Sequence, residues 1–303
     1  MSKKLLLSAL SLLAFAPTAA HACACGCGVF DVGTGTMMPS AEGGQVWLEW
    51  DYMDQNKNWS GTGKSDPANN DDKEIVSNFF VAGGQYMFSR SWGAEVDIPF
   101  TTRTFNTTGD DGGSASFNHG GLGDIRVKAI YSGLSEDMST GLTFGLKLPT
   151  GDYHYAHFDR DTAIGSGSTD WLLGAYHQGE LSGKFDWFVN GQWDHAFTVA
   201  SHYRPGDEYD AALGSYYNAG PMLGADHIAP LLQLIGSYRL HDVGMAADPD
   251  NSGYRRLLIS PGVEYDVDAV RLYADIELPV WQNVNGNQLT APVLTKLVVG
   301  YSF

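Results

Sequence analysis

The chain has 303 residues and a formal net charge of −17, from 35 acidic against 18 basic side chains. So acidic a balance excludes nucleic-acid binding, which rests on Lys and Arg neutralising phosphates. Mean hydropathy is −0.19, with 12% aromatic residues and 37 glycines. Beyond the first residues no stretch is long and apolar enough for a membrane helix. Any membrane role therefore falls to strands, whose hydropathy signal is diluted by the polar residues that face a lumen.

Residues 1–22 read as an N-terminal signal peptide, with Lys3 and Lys4 as its positive region, Leu5 to Ala16 as its apolar stretch and Ala20-His21-Ala22 as the cleavage site. Cleavage puts Cys23 at the mature N-terminus. Lipoprotein processing at that cysteine is the rival reading, but the Leu it expects three residues earlier is Ala20. Residues 23–43 form a Cys/Gly-rich segment, either periplasmic or plugging a lumen. Its Cys23, Cys25 and Cys27 are the only three cysteines of the chain. Together with a free α-amino group, these thiols suit a soft metal ion such as Cu(I) or Zn(II), although the set is one ligand short of a structural zinc site. The plainer reading is oxidation in the periplasm, where strain in Cys-x-Cys bridges favours a Cys23–Cys27 bond. No cofactor is required. Met37 and Met38 belong to a stretch that either folds into the lumen as a partial stopper or trails as a tail.

From residue 44 onward, period-two alternation marks about twelve strands, near 44–55, 73–88, 92–105, 121–134, 138–149, 168–181, 184–199, 209–223, 229–241, 254–267, 269–282 and 291–303. In the clearest, one face is consistently apolar. Trp92, Ala94, Val96, Ile98 and Phe100 oppose Glu95 and Asp97, and Leu142, Phe144, Leu146 and Leu148 form a second row. Phe185, Trp187, Val189, Trp193 and Phe197 oppose Asp186, Asn190, Gln192 and Asp194. Pro221 and small neighbours blur the strand near 209–223. The last strand carries Val293, Leu297, Val299, Tyr301 and the terminal Phe303 on one face, a pattern suited to lipid and an aromatic girdle. It also looks like the signal read by bacterial barrel-assembly machinery.

Connections alternate in length. Short ones (89–91, 135–137, 182–183, 224–228, 268) are interleaved with long polar ones (55–72, 106–120, 150–167, 200–208, 242–253, 283–290). That asymmetry is expected of an even-stranded barrel with short periplasmic turns and long external loops, and not of a soluble sandwich. The fold expected is thus all-β: a transmembrane antiparallel up-and-down barrel of about 12 strands over residues 44–303 in the bacterial outer membrane, in contact with lipid and lipopolysaccharide.

Three stretches carry a family resemblance: Gly120-Gly-Leu-Gly-Asp-Ile-Arg-Val-Lys-Ala-Ile-Tyr131, Gly145-Leu-Lys-Leu-Pro-Thr-Gly-Asp152 and Gly165-Ser-Gly-Ser-Thr-Asp-Trp-Leu-Leu-Gly174. In order and content they resemble the outer-membrane transporter family of the MetA-pathway of phenol degradation. The resemblance implies passage of small, hydrophobic or aromatic, solutes.

If the apolar faces meet lipid, the opposite faces line the bore. Glu49, Asp51, Glu95, Asp97, Asp124, Asp186, Asp194, Glu264, Asp275 and Glu277 then point inward, with Arg126, Lys128, Lys147, Arg239, Arg256 and Arg271 among them. Such a lining either shapes a passive, water-filled path for uptake or efflux of small solutes or pairs with itself and holds closed a non-conducting structural or ligand-binding barrel. His154 and His157, beside Asp152, Asp159 and Asp161, make a ligand-like loop cluster, for which a solvated loop is the plainer reading. An outer-membrane hydrolase is the third reading. It lacks a Gly-x-Ser-x-Gly elbow and an evident Ser–His pair, so an enzyme is not expected.

Overall fold

The computed structural model describes residues 23–24, 38–109 and 111–303. The expected signal peptide, with Cys25 and Cys27, lies outside the described residues. No helix among the described residues is long and apolar enough to cross a membrane. The chain instead forms one closed antiparallel barrel of 12 strands. These are β1 Gly43–Gln55, β2 Asp72–Ser89, β3 Trp92–Thr108, β4 Ser114–Leu122 continued by Arg126–Tyr131, β5 Thr140–Lys147 and β6 Asp170–Ser182. They are followed by β7 Phe185–Ala196, β8 Glu208–Tyr217 with Gly220–Met222, β9 Ala225–Arg239, β10 Tyr254–Val267, β11 Val270–Thr290 and β12 Leu294–Ser302.

Each strand pairs with its sequence neighbours, and β12 closes on β1 with Lys296 opposite Asp51, Leu297 opposite Trp50 and Tyr301 opposite Val46. Closure leaves no strand edge, the condition for satisfying backbone donors and acceptors in hydrocarbon. At the seam the Gly44 and Phe303 backbones exchange hydrogen bonds of 2.9 and 2.8 Å. A Cβ on Gly44 would collide with the Phe303 ring.

The alternation resolves as expected. Leu48, Val96, Ile98, Phe100, Leu142, Phe144, Leu272, Ile276, Leu297 and Val299 are exposed on the outer face, while Glu49, Asp51, Asp97, Lys128, Asp275, Glu277 and Lys296 are buried inside. Aromatic girdles bound the outer apolar band. At the short-turn end, Trp92 contacts Tyr131, Phe185 contacts Tyr217, and Phe303 contacts Tyr86 and Tyr301. At the loop end, Trp171 meets Phe197, and Tyr209 lies between Trp193 and Tyr238. From Trp92 to Phe100 on β3 the chain advances roughly 27 Å at about 3.4 Å per residue. With a strand tilt of about 40° the height is ~21 Å, close to the apolar band of an outer-membrane barrel.

Two connections expected to be loops are strands. Residues 106–108 pair with 114–116 to prolong the β3–β4 hairpin. Residues 284–290 of β11 pair with the short strand Lys57–Gly61 of the first loop. The first run is polar throughout its first strand, and in the second Val284 and Leu289 fall on opposite phases among polar residues, so no apolar alternation announces either. Two strands are also interrupted: β4 breaks between Leu122 and Arg126, and β8 between Tyr217 and Gly220.

Candidate channel lumen

The break in β4 frees Asp124 to act as a junction. Its Oδ1 accepts the Gly151 N–H at 3.0 Å, and its Oδ2 accepts the Ser166 N–H at 2.8 Å and the Ser166 hydroxyl at 2.5 Å. Thr150 ties down the adjoining backbone, donating its hydroxyl to the Gly123 carbonyl at 2.8 Å and accepting the Ile125 N–H at 2.9 Å. Gly151 and Gly165 touch backbone to backbone, since a Cβ on Gly151 would lie 2.7 Å from the Gly165 Cα. The three sequence stretches singled out above therefore converge on one carboxylate.

This junction folds the connection between β5 and β6 into the bore. Arg103 of β3 anchors its far side, donating to the Thr162 carbonyl at 2.6 Å and to Ser77 Oγ at 2.9 Å. Arg160 is held between the rings of Tyr153 and Tyr203, with its guanidinium 4.7 and 4.5 Å from their centroids. It donates to the Ser166 carbonyl. The loop histidines diverge. His154 bonds Ser201 at 2.9 Å, and His157 stacks on Phe117 with centroids 4.4 Å apart. They do not assemble the ligand-like cluster expected of them, because each is recruited by a different neighbouring element.

Three spaces succeed one another along the bore. The loop-side chamber, about 1060 Å³ and open to solvent, is lined by Asp124, Arg126, Lys147, Asp194, Arg239 and the inserted loop. The second, about 730 Å³ and likewise open to solvent, is lined by Trp47, Glu95, Asp97, Lys128, Tyr176 and Gln192. Glu49 and Val81 belong to both walls. The third, at the short-turn mouth, is lined by Asp186, His227, Glu264 and Arg271 and shares Met38 with the second. Met38 is buried in an interior apolar cluster with Met87, Ile130, Met138, Tyr176, Phe188, Ala212, Ile235 and Leu258. Phe188 and Leu258 are inward residues that belong to this cluster.

The lining charges pair along the wall, for the most part between adjacent strands. Lys296 is 3.0 Å from Glu49 and 3.5 Å from Asp51 across the seam. Lys128 is 2.7 Å from Glu95 and 3.4 Å from Asp97. Lys147 contacts Asp170 of β6 and lies 3.7 Å from Asp194 of β7. Arg239 meets Asp242 at 2.6 Å, and the Arg256 guanidinium lies 4.3 Å from the Tyr254 ring centroid. Around Asp275, Gln233, Ser260 and Tyr273 each donate to Oδ2, at 2.9, 2.8 and 2.7 Å. Glu277 is buried beside this network. Sequence reasoning named most of these residues but missed Asp170, Gln233, Tyr273 and Lys296 as members of the wall. Each sits on the inward phase of its strand, the signal that could have found them.

Among curated proteins, none matches this sequence. Solved structures do resemble it. An outer membrane channel from Pseudomonas putida F1 superposes with a TM-score of 0.67 at 17% identity, covering 90% of this chain and 100% of that one. The β domain of the Bordetella autotransporter BrkA superposes with a TM-score of 0.54 at 12% identity, covering 87% and 100%. These likenesses establish the fold, and the closed barrel with its lipid-facing band places the protein in the bacterial outer membrane. The family described as "Putative MetA-pathway of phenol degradation" matches residues 61–283. With that stretch spanning most of the barrel, the chain belongs to the MetA-pathway of phenol degradation family.

Proposed function

We propose that the protein is a passive outer-membrane channel for small solutes, amphipathic aromatic compounds of the phenol type among them. The observation that carries this reading is the succession of three spaces with shared lining, from the inserted loop through Glu49 and Val81 to Met38. The second space combines Trp47, Ile130 and Tyr176 with Gln85, Asn190 and Gln192, beside Glu49 and the Lys128–Glu95–Asp97 group. Apolar surface with a few polar groups is the lining expected of a site for a small ring bearing a hydroxyl. The family description points the same way. Passage is diffusive, with the inserted loop at one end and the N-terminal segment around Met38 at the other as the obstacles a solute meets.

A sealed, structural barrel is the second reading, and burial of Met38 and Pro39 inside the bore favours it. Planar-bilayer recording with the full mature chain separates the two. Discrete conductance steps, together with faster phenol entry into proteoliposomes than into empty vesicles, support the channel. Silence in both assays refutes it. Serine-directed activity probes address the hydrolase reading, and no labelling is expected.

A further inference from the structure

We propose that His227, Glu264 and Asp266 form a binding site for a divalent transition-metal ion of the zinc class at the short-turn mouth of the barrel. The three residues offer ligand atoms that all lie within 4.8 Å of one another. Strand register puts them there. His227 of β9 is directly opposite Asp266 of β10, and Glu264 lies two residues back on the same inward phase. His227 Nδ1 is 3.7 Å from Asp266 Oδ2. A paired sheet, and not a loop, thus fixes the donors, as a preorganised metal site requires.

The second observation concerns unmet bonding capacity. Glu264 is only 5% exposed, yet its Oε2 has no hydrogen-bond partner, and neither does the enclosed Nε2 of His227. Buried polar atoms are rarely left in that state, and a site for an ion is one recognised reason for it. Arg271 of β11 satisfies part of the set. Its Nε is 3.2 Å from Glu264 Oε1 and 3.0 Å from Asp266 Oδ1, and its Nη2 is 3.2 Å from Asp266 Oδ2. Two carboxylates against one guanidinium still leave a net negative charge. One imidazole and two carboxylates suit zinc or a similar borderline ion better than calcium or magnesium, which take oxygen alone. The space at this mouth gives the ion its access route.

The test uses the full chain with Cys23→Ser, Cys25→Ser and Cys27→Ser, so that N-terminal thiols cannot compete. Titration of the folded barrel in detergent with Zn2+ is expected to show one ion per chain. His227→Ala and Glu264→Gln are each expected to weaken uptake by at least about tenfold, while both variants keep the heat-modifiable migration of a folded barrel. In the chain with its native His227 and Glu264, Zn2+ is expected to protect His227 from diethyl pyrocarbonate, read by peptide mass spectrometry. Absence of uptake by the cysteine-free parent, unchanged affinity in His227→Ala, or no protection of His227 would each overturn the proposal.

Discussion

Asp124→Ala is expected to release the inserted loop without unfolding the barrel. The carboxylate accepts from Gly151 and twice from Ser166, and hydrogen bonds to a charged group contribute about 1.5–3 kcal/mol each. Water in the loop-side chamber can replace part of that, and Arg103 still holds the loop at Thr162. A net loss of about 2–4 kcal/mol in loop anchoring follows. At about 1.4 kcal/mol per factor of ten, the ratio of released to inserted loop rises roughly 30- to 700-fold. Two assays read the change. In planar bilayers, Asp124→Ala should give larger and noisier steps than the parent, and limited proteolysis should cut between residues 150 and 166 sooner. Asp124→Asn retains an acceptor oxygen for one partner and should fall between the two. A variant with the conductance and cleavage rate of the parent would refute the idea that this carboxylate holds the loop in the bore.

Gly165→Val should reproduce the Asp124→Ala phenotype, since a side chain there collides with the Gly151 backbone; bilayer recording checks it. Lys296→Met leaves Glu49 and Asp51 facing each other at the seam. Removing one partner of a buried pair costs about 3–5 kcal/mol in a dry interior and, with a hydrated bore, about 2–4 kcal/mol here. The midpoint of urea unfolding should fall accordingly, and the reversal potential of any conductance should shift toward cations. Deleting Phe303 removes both backbone bonds to Gly44 and the aromatic contacts to Tyr86 and Tyr301. Less folded barrel should reach the outer membrane, as measured by heat-modifiable migration of membrane fractions.

Inward and outward phases were legible because lipid enforces a strict period of two. Val96, Ile98 and Phe100 announce their face without any structure. The short turns were legible for the same reason, as breaks in that alternation. Strand portions that outrun the lipid were not, because Asn106, Thr107, Asn285 and Asn287 break the apolar alternation and look like loop. Sequence order placed three glycine-rich stretches in succession but could not reveal that Asp124 draws them together, which depends on how a loop re-enters the bore. His227 escaped notice on its own. The spacing of Glu264 and Asp266 was visible, but only the hairpin register between β9 and β10 brings the imidazole to them.

The circumferential arrangement of the lysine contacts has a mechanical consequence. Lys296, Lys128 and Lys147 each take their nearest acid from the adjoining strand, so these three contacts run around the wall and not across the bore. On the channel reading, a solute moving down the axis severs none of these three braces, and the staves of the barrel keep their own bracing while it goes by. On the channel reading, the re-entrant segment and the residues about Met38 are the described parts that must yield, which places the energetic cost of transit toward the two ends of the bore.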